Sequence, residues 1–131
     1  VTFLPVIADL YTPLLVLAYL YYWQKEPQVK RRLRFIILLL SLTLVYGLMF
    51  VDNSLQIWPA LAMDYSTHSA LALVFVIDLS MKNRKLRLLA PLSLCIYFYL
   101  MRLLDYHSVA DMLTTCVVLL PVLLYLHKRG R

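Results

Sequence analysis

Residues 33–51 read LRFIILLLSLTLVYGLMFV, nineteen positions whose only charge is Arg34 at the edge. A bilayer core about 30 Å thick takes roughly 20 helical residues at 1.5 Å each, so this stretch has the length and composition of a membrane span. Working outward, four further segments reach toward the same length: residues 3–23, 66–81, 88–104 and 106–126. The first carries Pro5 and Pro13, which a transmembrane helix tolerates, and ends in the aromatic run Tyr19 to Trp23, as an interfacial belt does. The third is short and polar at its beginning. The fourth has Pro91 near its first turn, and the fifth again begins polar and turns apolar. The expected fold is all-α, a polytopic transmembrane bundle of about five spans that fills residues 1–131 as one domain.

Composition agrees. The chain is 63% hydrophobic and 15% charged, against about 45–50% and 25% in soluble domains. Two glycines and six prolines exclude collagen-like and flexible low-complexity classes. The net charge of +6 would suit a nucleic-acid binder if it lay on one basic face. Instead the basic residues cluster between apolar runs, so no nucleic-acid partner is expected. Cys95 and Cys116 lie inside apolar runs without metal-type spacing and read as buried thiols. The first stretch lacks a basic leader and a small-residue cleavage site, so it is expected to stay as a span.

Orientation follows from three basic clusters: Lys25, Lys30, Arg31, Arg32 and Arg34; Lys82, Arg84, Lys85 and Arg87; Lys128, Arg129 and Arg131. With five spans and the N-terminus outside, all three fall on one side, which the positive-inside rule makes cytoplasmic, together with the C-terminus. The expected location is the plasma or inner membrane. Arg102 is the exception, near the outer end of the fourth span. The same topology puts DNSLQIWPALAMDYST (52–67) and RLLDYH (102–107) outside, and collects Asp52, Asp64, Asp105 and Asp111 there.

His68 opens the third span and His107 the fifth, so two histidines distant in sequence come to one depth. Asp64 precedes His68 by four residues and Asp111 follows His107 by four, a spacing that shares a helix face. This set suits phosphoryl transfer through histidine. An unprotonated His107 attacks phosphorus, Asp111 fixes its tautomer, and His68 protonates the leaving oxygen. Arg102 is the outer-side cation for the phosphate oxygens. Ser66, Thr67 and Ser108 are candidate donors to phosphate or helix caps. Tyr65, Tyr106 and Trp58 are candidates for the headgroup opening, with an interfacial belt the favoured reading for Trp58. Asp9 either faces the same outer cavity as His68 or caps a contact between helices. Asp78, near the inner end of the third span, pairs with a loop lysine or arginine. Asn53 and Gln56 read as solvated loop, with headgroup contact the alternative, and Tyr11, Tyr97 and Tyr99 as packing.

DYSTHSA (64–70) and RLLDYHSVAD (102–111) resemble the second and third signature motifs of the type 2 phosphatidic acid phosphatase superfamily, membrane lipid phosphatases and phosphotransferases. YHSVAD (106–111) is most similar to its sphingomyelin and inositol-phosphorylceramide synthase branch. The resemblance implies His107 as nucleophile, Asp111 as its orienting carboxylate and His68 as general acid. Thr67 stands in a glycine position of the second motif. Arg102 lies five residues before His107 where the family has six. Lys25 and Arg32 are spaced like the first family motif, but the topology sets them a membrane thickness from the histidines, and they are not assigned to phosphate binding. The family mostly has six spans.

The expected function is a lipid phosphatase or phosphotransferase, with no cofactor, acting at the outer face on a phosphorylated lipid or a polyprenyl phosphate or diphosphate. Two other classes stand beside it: a metal-dependent hydrolase in which Asp64, His68, His107 and Asp111 bind zinc or manganese, and a non-enzymatic adaptor whose polar residues hold the bundle together. A thin bundle with one short span also leaves homo-oligomerisation open as a way to enclose the site.

Overall fold

The computed structural model describes residues 3–63, 65–104 and 108–129. Among these there is no strand. Six helices follow one another: α1 (Phe3–Gln24), α2 (Gln28–Leu55), α3 (Ile57–Ala60), α4 (Thr67–Ser80), α5 (Arg84–Leu103) and α6 (Val109–Arg129). Four of them, α1, α2, α5 and α6, are long and apolar enough to cross a membrane.

Each boundary has a local cause. The α1 chain ends at Gln24, where Lys25 and Glu26 form a turn bonded to the carbonyls of Tyr22 and Trp23. Pro27 then starts α2 with an extended backbone, a residue that has no amide to lose at a helix start. At 28 residues, α2 runs about 42 Å and reaches well past the expected residues 33–51, so Asn53 lies within it. It stops at Gln56, whose left-handed backbone (φ 56°) lets its amide bond the Asp52 carbonyl at 2.7 Å. Asn83 opens α5 by accepting the Leu86 amide at 2.9 Å.

The short α4 is the centre of the bundle. Fourteen residues give about 21 Å, less than a bilayer core, and every residue from Ser69 to Leu79 except Leu71 is buried. A helix apolar all round has no outward face to offer and belongs inside. Ser69, Ala70 and Ala72 at its start let neighbouring backbones approach closely. It packs against α1, α2, α5 and α6.

Those four outer helices turn apolar faces outward: Leu17 is 61% exposed, Phe50 64%, Leu88 72% and Val117 69%. Meanwhile Arg34, Asp78, Asp111 and His127 are buried. Charge inside and hydrocarbon outside reverses the arrangement of a soluble protein and fits a lipid surround. The same reversal corrects the reading of the cysteines. Cys95 is exposed on α5 and Cys116 only half-buried, because an apolar neighbourhood in such a helix does not mean the interior.

One end of the bundle gathers all three basic segments. Lys82, in the α4–α5 turn, bonds Glu26 in the α1–α2 turn at 3.0 Å and lies 3.6 Å from Asp78. Asp78 also faces Arg34 of α2 at 3.5 Å and His127 of α6 at 3.4 Å. The expected pairing of Asp78 with basic loop residues is therefore present.

Candidate functional site

At the opposite end, the start of α4 is built into α6. Ser66 is the N-cap of α4. Its hydroxyl accepts the Ser69 amide at 3.2 Å and donates to the Ser69 hydroxyl at 2.6 Å. Its own amide donates to Thr115 Oγ1 of α6 at 3.1 Å, and Thr115 donates in turn to the Asp111 carbonyl at 2.8 Å. Asp111 is buried in the first turn of α6, where its carboxylate accepts the Ser108 amide and its amide donates to the Ser108 hydroxyl, both at 3.1 Å. This reciprocal box is a helix-start device. It sets the start of α6 at Val109, three residues later than the expected 106.

A lid closes over this junction. The connection after α2 folds back so that the Trp58 amide donates to Asp52 Oδ1 at 2.7 Å and the indole donates to Thr114 of α6 at 3.0 Å. Trp58 is 4% exposed and meets Tyr65 edge to face at 5.1 Å. It is a packed plug rather than a residue of an interfacial belt. Tyr65 is buried too, and its hydroxyl donates to the Val45 carbonyl at 2.8 Å. Burial, with the Asp52 carboxylate and Tyr46 nearby, pushes its phenol above the ordinary range.

His68 faces another way. It lines a cavity of about 240 Å³ between α1, α4 and α5, together with Asp9, Thr12, Leu71, Tyr97 and Met101. Of the two readings of Asp9, the shared cavity with His68 is the one found. Thr67 is half-buried and Ser108 exposed. Arg102 is exposed and lines a smaller hollow of about 120 Å³, beside Phe98, Val109 and Met112. So the described residues bring Ser66, Asp111 and Ser108 into one bonded junction, His68 and Asp9 into one cavity, and Arg102 into a neighbouring groove. Asp64, Tyr106 and His107 lie outside the described residues.

The sequence reading missed a second polar centre. At the basic end, Ser41 of α2 and His127 of α6 meet at 3.1 Å (Oγ to Nε2), both almost wholly buried, with Asp78 on the far side of the ring. The signal was present in α2: Arg34, Ile37, Ser41, Val45 and Asp52 are its buried residues, spaced three, four, four and seven apart as one helical stripe. A charge and a hydroxyl on that stripe mark an interior polar contact. Among the described residues, no three of His, Cys, Asp and Glu are grouped to hold a metal ion.

Comparison with protein-family models, with curated proteins and with solved structures finds no match to this chain.

Proposed function

We propose that the chain is a membrane lipid phosphatase or phosphotransferase that acts on a phosphorylated lipid or a polyprenyl phosphate or diphosphate through a phosphohistidine. The observation that supports this most is the bond from the Ser66 amide to Thr115. It ties the start of α4, where His68 sits two residues on, to the start of α6, where Asp111 sits four residues after His107. On this reading α4 is a fifth crossing made short by its enclosure, the basic end faces the cytoplasm, and the reaction runs at the opposite face.

The chemistry needs few groups. An unprotonated nitrogen of His107 attacks phosphorus while Asp111 accepts a hydrogen bond from the other, proton-bearing nitrogen and steadies the positive charge that develops. The phosphorus–oxygen bond to the leaving group breaks, its electron pair departs with the oxygen, and His68 supplies the proton. Water or an alcohol then gives its proton to His68 and attacks the phosphohistidine, breaking the phosphorus–nitrogen bond. In this scheme Arg102, Thr67 and Ser108 meet the phosphate oxygens, with Tyr106 and Asp64 at its margin, while Ser66 and Tyr65, buried and bonded within the protein, hold the wall behind it.

The test is turnover of a panel of phosphorylated lipids with a chelator present. Loss of turnover in His107→Ala, and a fall of about 10²–10⁴-fold in His68→Ala, with chromatographic behaviour in detergent unchanged, is the expected result. Full turnover by His107→Ala would overturn the proposal. Turnover restored only by a divalent cation would assign the chain to the metal-dependent class. The adaptor reading draws on one specific observation, that these polar groups are already bonded within the protein, Ser66 to Ser69 and Thr115, and Ser108 and Thr115 to Asp111. It expects His107→Ala to disturb assembly instead of chemistry.

A further inference from the structure

The cavity beside His68 is an acceptor-rich chamber. Asp9, two turns into α1, contributes a carboxylate. Thr12, one turn on, has a buried hydroxyl oxygen with no hydrogen-bond partner among the described residues. Pro13 lines the same chamber and has no amide proton to give the carbonyl four residues earlier, which is that of Asp9. Asp9 is exposed, its carbonyl lacks the helical donor that Pro13 cannot supply, and the Thr12 oxygen is buried without a partner among the described residues. In a segment otherwise composed for lipid, such groups are costly unless water or a ligand reaches them.

The other walls are apolar and fixed. Tyr97 is buried and stacks on Tyr11 at 4.3 Å, and Tyr11 is held by a 2.8 Å bond to Ser93. Leu71 and Met101 add to the apolar wall, and the chamber opens outward at Asp9 and His68, both exposed. An aromatic wall beside a carboxylate favours a cationic or hydroxylated group over a second anion. The volume of about 240 Å³ is below the roughly 300 Å³ at which drug-sized pockets begin and suits a headgroup the size of ethanolamine or glycerol.

We infer that the cavity between α1, α4 and α5 is a headgroup subsite for a phosphorylated lipid bearing a small donor group, ammonium or hydroxyl, with Asp9 as the specificity-determining residue. This rests on the phosphohistidine reading for its link to chemistry, since His68 opens onto the same chamber, but not for binding itself. It narrows the substrate class. A diphosphate, or a lipid whose phosphate ends without a donor-bearing headgroup, meets the Asp9 carboxylate without compensation.

Binding of short-chain lipids to the full chain in detergent separates the sources of the donor. Dihexanoyl phosphatidylethanolamine offers an ammonium, dihexanoyl phosphatidylglycerol offers hydroxyls, and dihexanoyl phosphatidic acid offers neither. The expected result is at least a ten-fold preference for one or both of the first two over phosphatidic acid. The near-isosteric Asp9→Asn should reduce an ammonium preference to less than three-fold, and Thr12→Val should weaken a hydroxyl preference. Equal binding of all three lipids, or a preference that survives both substitutions, overturns the subsite. Turnover by wild type and His107→Ala is read in parallel. A chain that selects headgroups through Asp9 without His107-dependent turnover keeps the subsite and loses the phosphohistidine. One that turns over every lipid with His107 but ignores the headgroup loses the subsite alone.

Discussion

Ser41 has one proton, and it goes to the Ile37 carbonyl at 2.9 Å. Its oxygen therefore accepts from Nε2 of His127 at 3.1 Å, which assigns that ring proton and turns Nδ1 toward Asp78. Asp78 is thus the point where Arg34, Lys82 and His127 meet, and it is 2% exposed. Removing Asp78 leaves the buried Arg34 guanidinium with only a 4.0 Å contact to Glu26, while Lys82 keeps its 3.0 Å bond to Glu26; loss of such a buried partner costs about 3–5 kcal/mol. Asp78→Ala is expected to lose that much by chemical unfolding in detergent, and a loss under 1 kcal/mol would show the group to be screened by water. At this scale the sequence was legible where a charge stood inside an apolar run, as with Asp9 and Asp78. It was not legible for His127, which adjoins Lys128 and Arg129 and reads like part of a solvated tail. Nor was it legible for Cys95 and Trp58. Whether such residues turn inward or outward depends on helix rotation, and lipid-facing and core-facing sides share one apolar composition.

Helix α4 carries an argument about neighbours. Its existence was readable from the apolar run and from Ser66 as a cap, and its ends fall within a residue of the expected 66–81. Its enclosure by four longer helices was not readable, because the helices that cover it lie on both sides of it in sequence. Ala72 is wholly buried there, so Ala72→Leu must displace packed atoms and is expected to cost about 1–3 kcal/mol. The comparable enlargement Val117→Leu, on the outward side of α6, is expected to stay within about 0.5 kcal/mol. Thermal midpoints of the two variants in one detergent check the contrast. If Val117→Leu proves as costly as Ala72→Leu, then the outward face of α6 is itself packed, against a second copy of the chain.

Across the whole molecule, polar groups divide between two ends that α4 connects, and the basic end is held by charge as well as by packing. The division was legible from the three basic clusters; the clasp itself was not, because Glu26 and Lys82 sit 56 residues apart in turns that sequence leaves unpaired. Burial raises the pKa of Glu26. The hydrogen bond from Lys82 and the charges of Lys82, Arg34 and Lys30 act against burial and together outweigh it, so the folded-state value lies below the ordinary one. A carboxyl depressed on folding contributes stability that is complete above its unfolded pKa, about 4.3, and lost as pH falls through the folded value. The thermal midpoint of the wild type should therefore drop on acidification from pH 6 toward pH 3 by more than that of Glu26→Gln, whose clasp has no charge to lose. The other carboxyls titrate in both proteins, so the difference between the two curves isolates Glu26. Because this contact is only partly exposed, 0.5 M salt should shrink the difference without abolishing it. Parallel curves would mean that the two turns are joined by packing alone, with Asp78 as the sole charged link between the helices at that end.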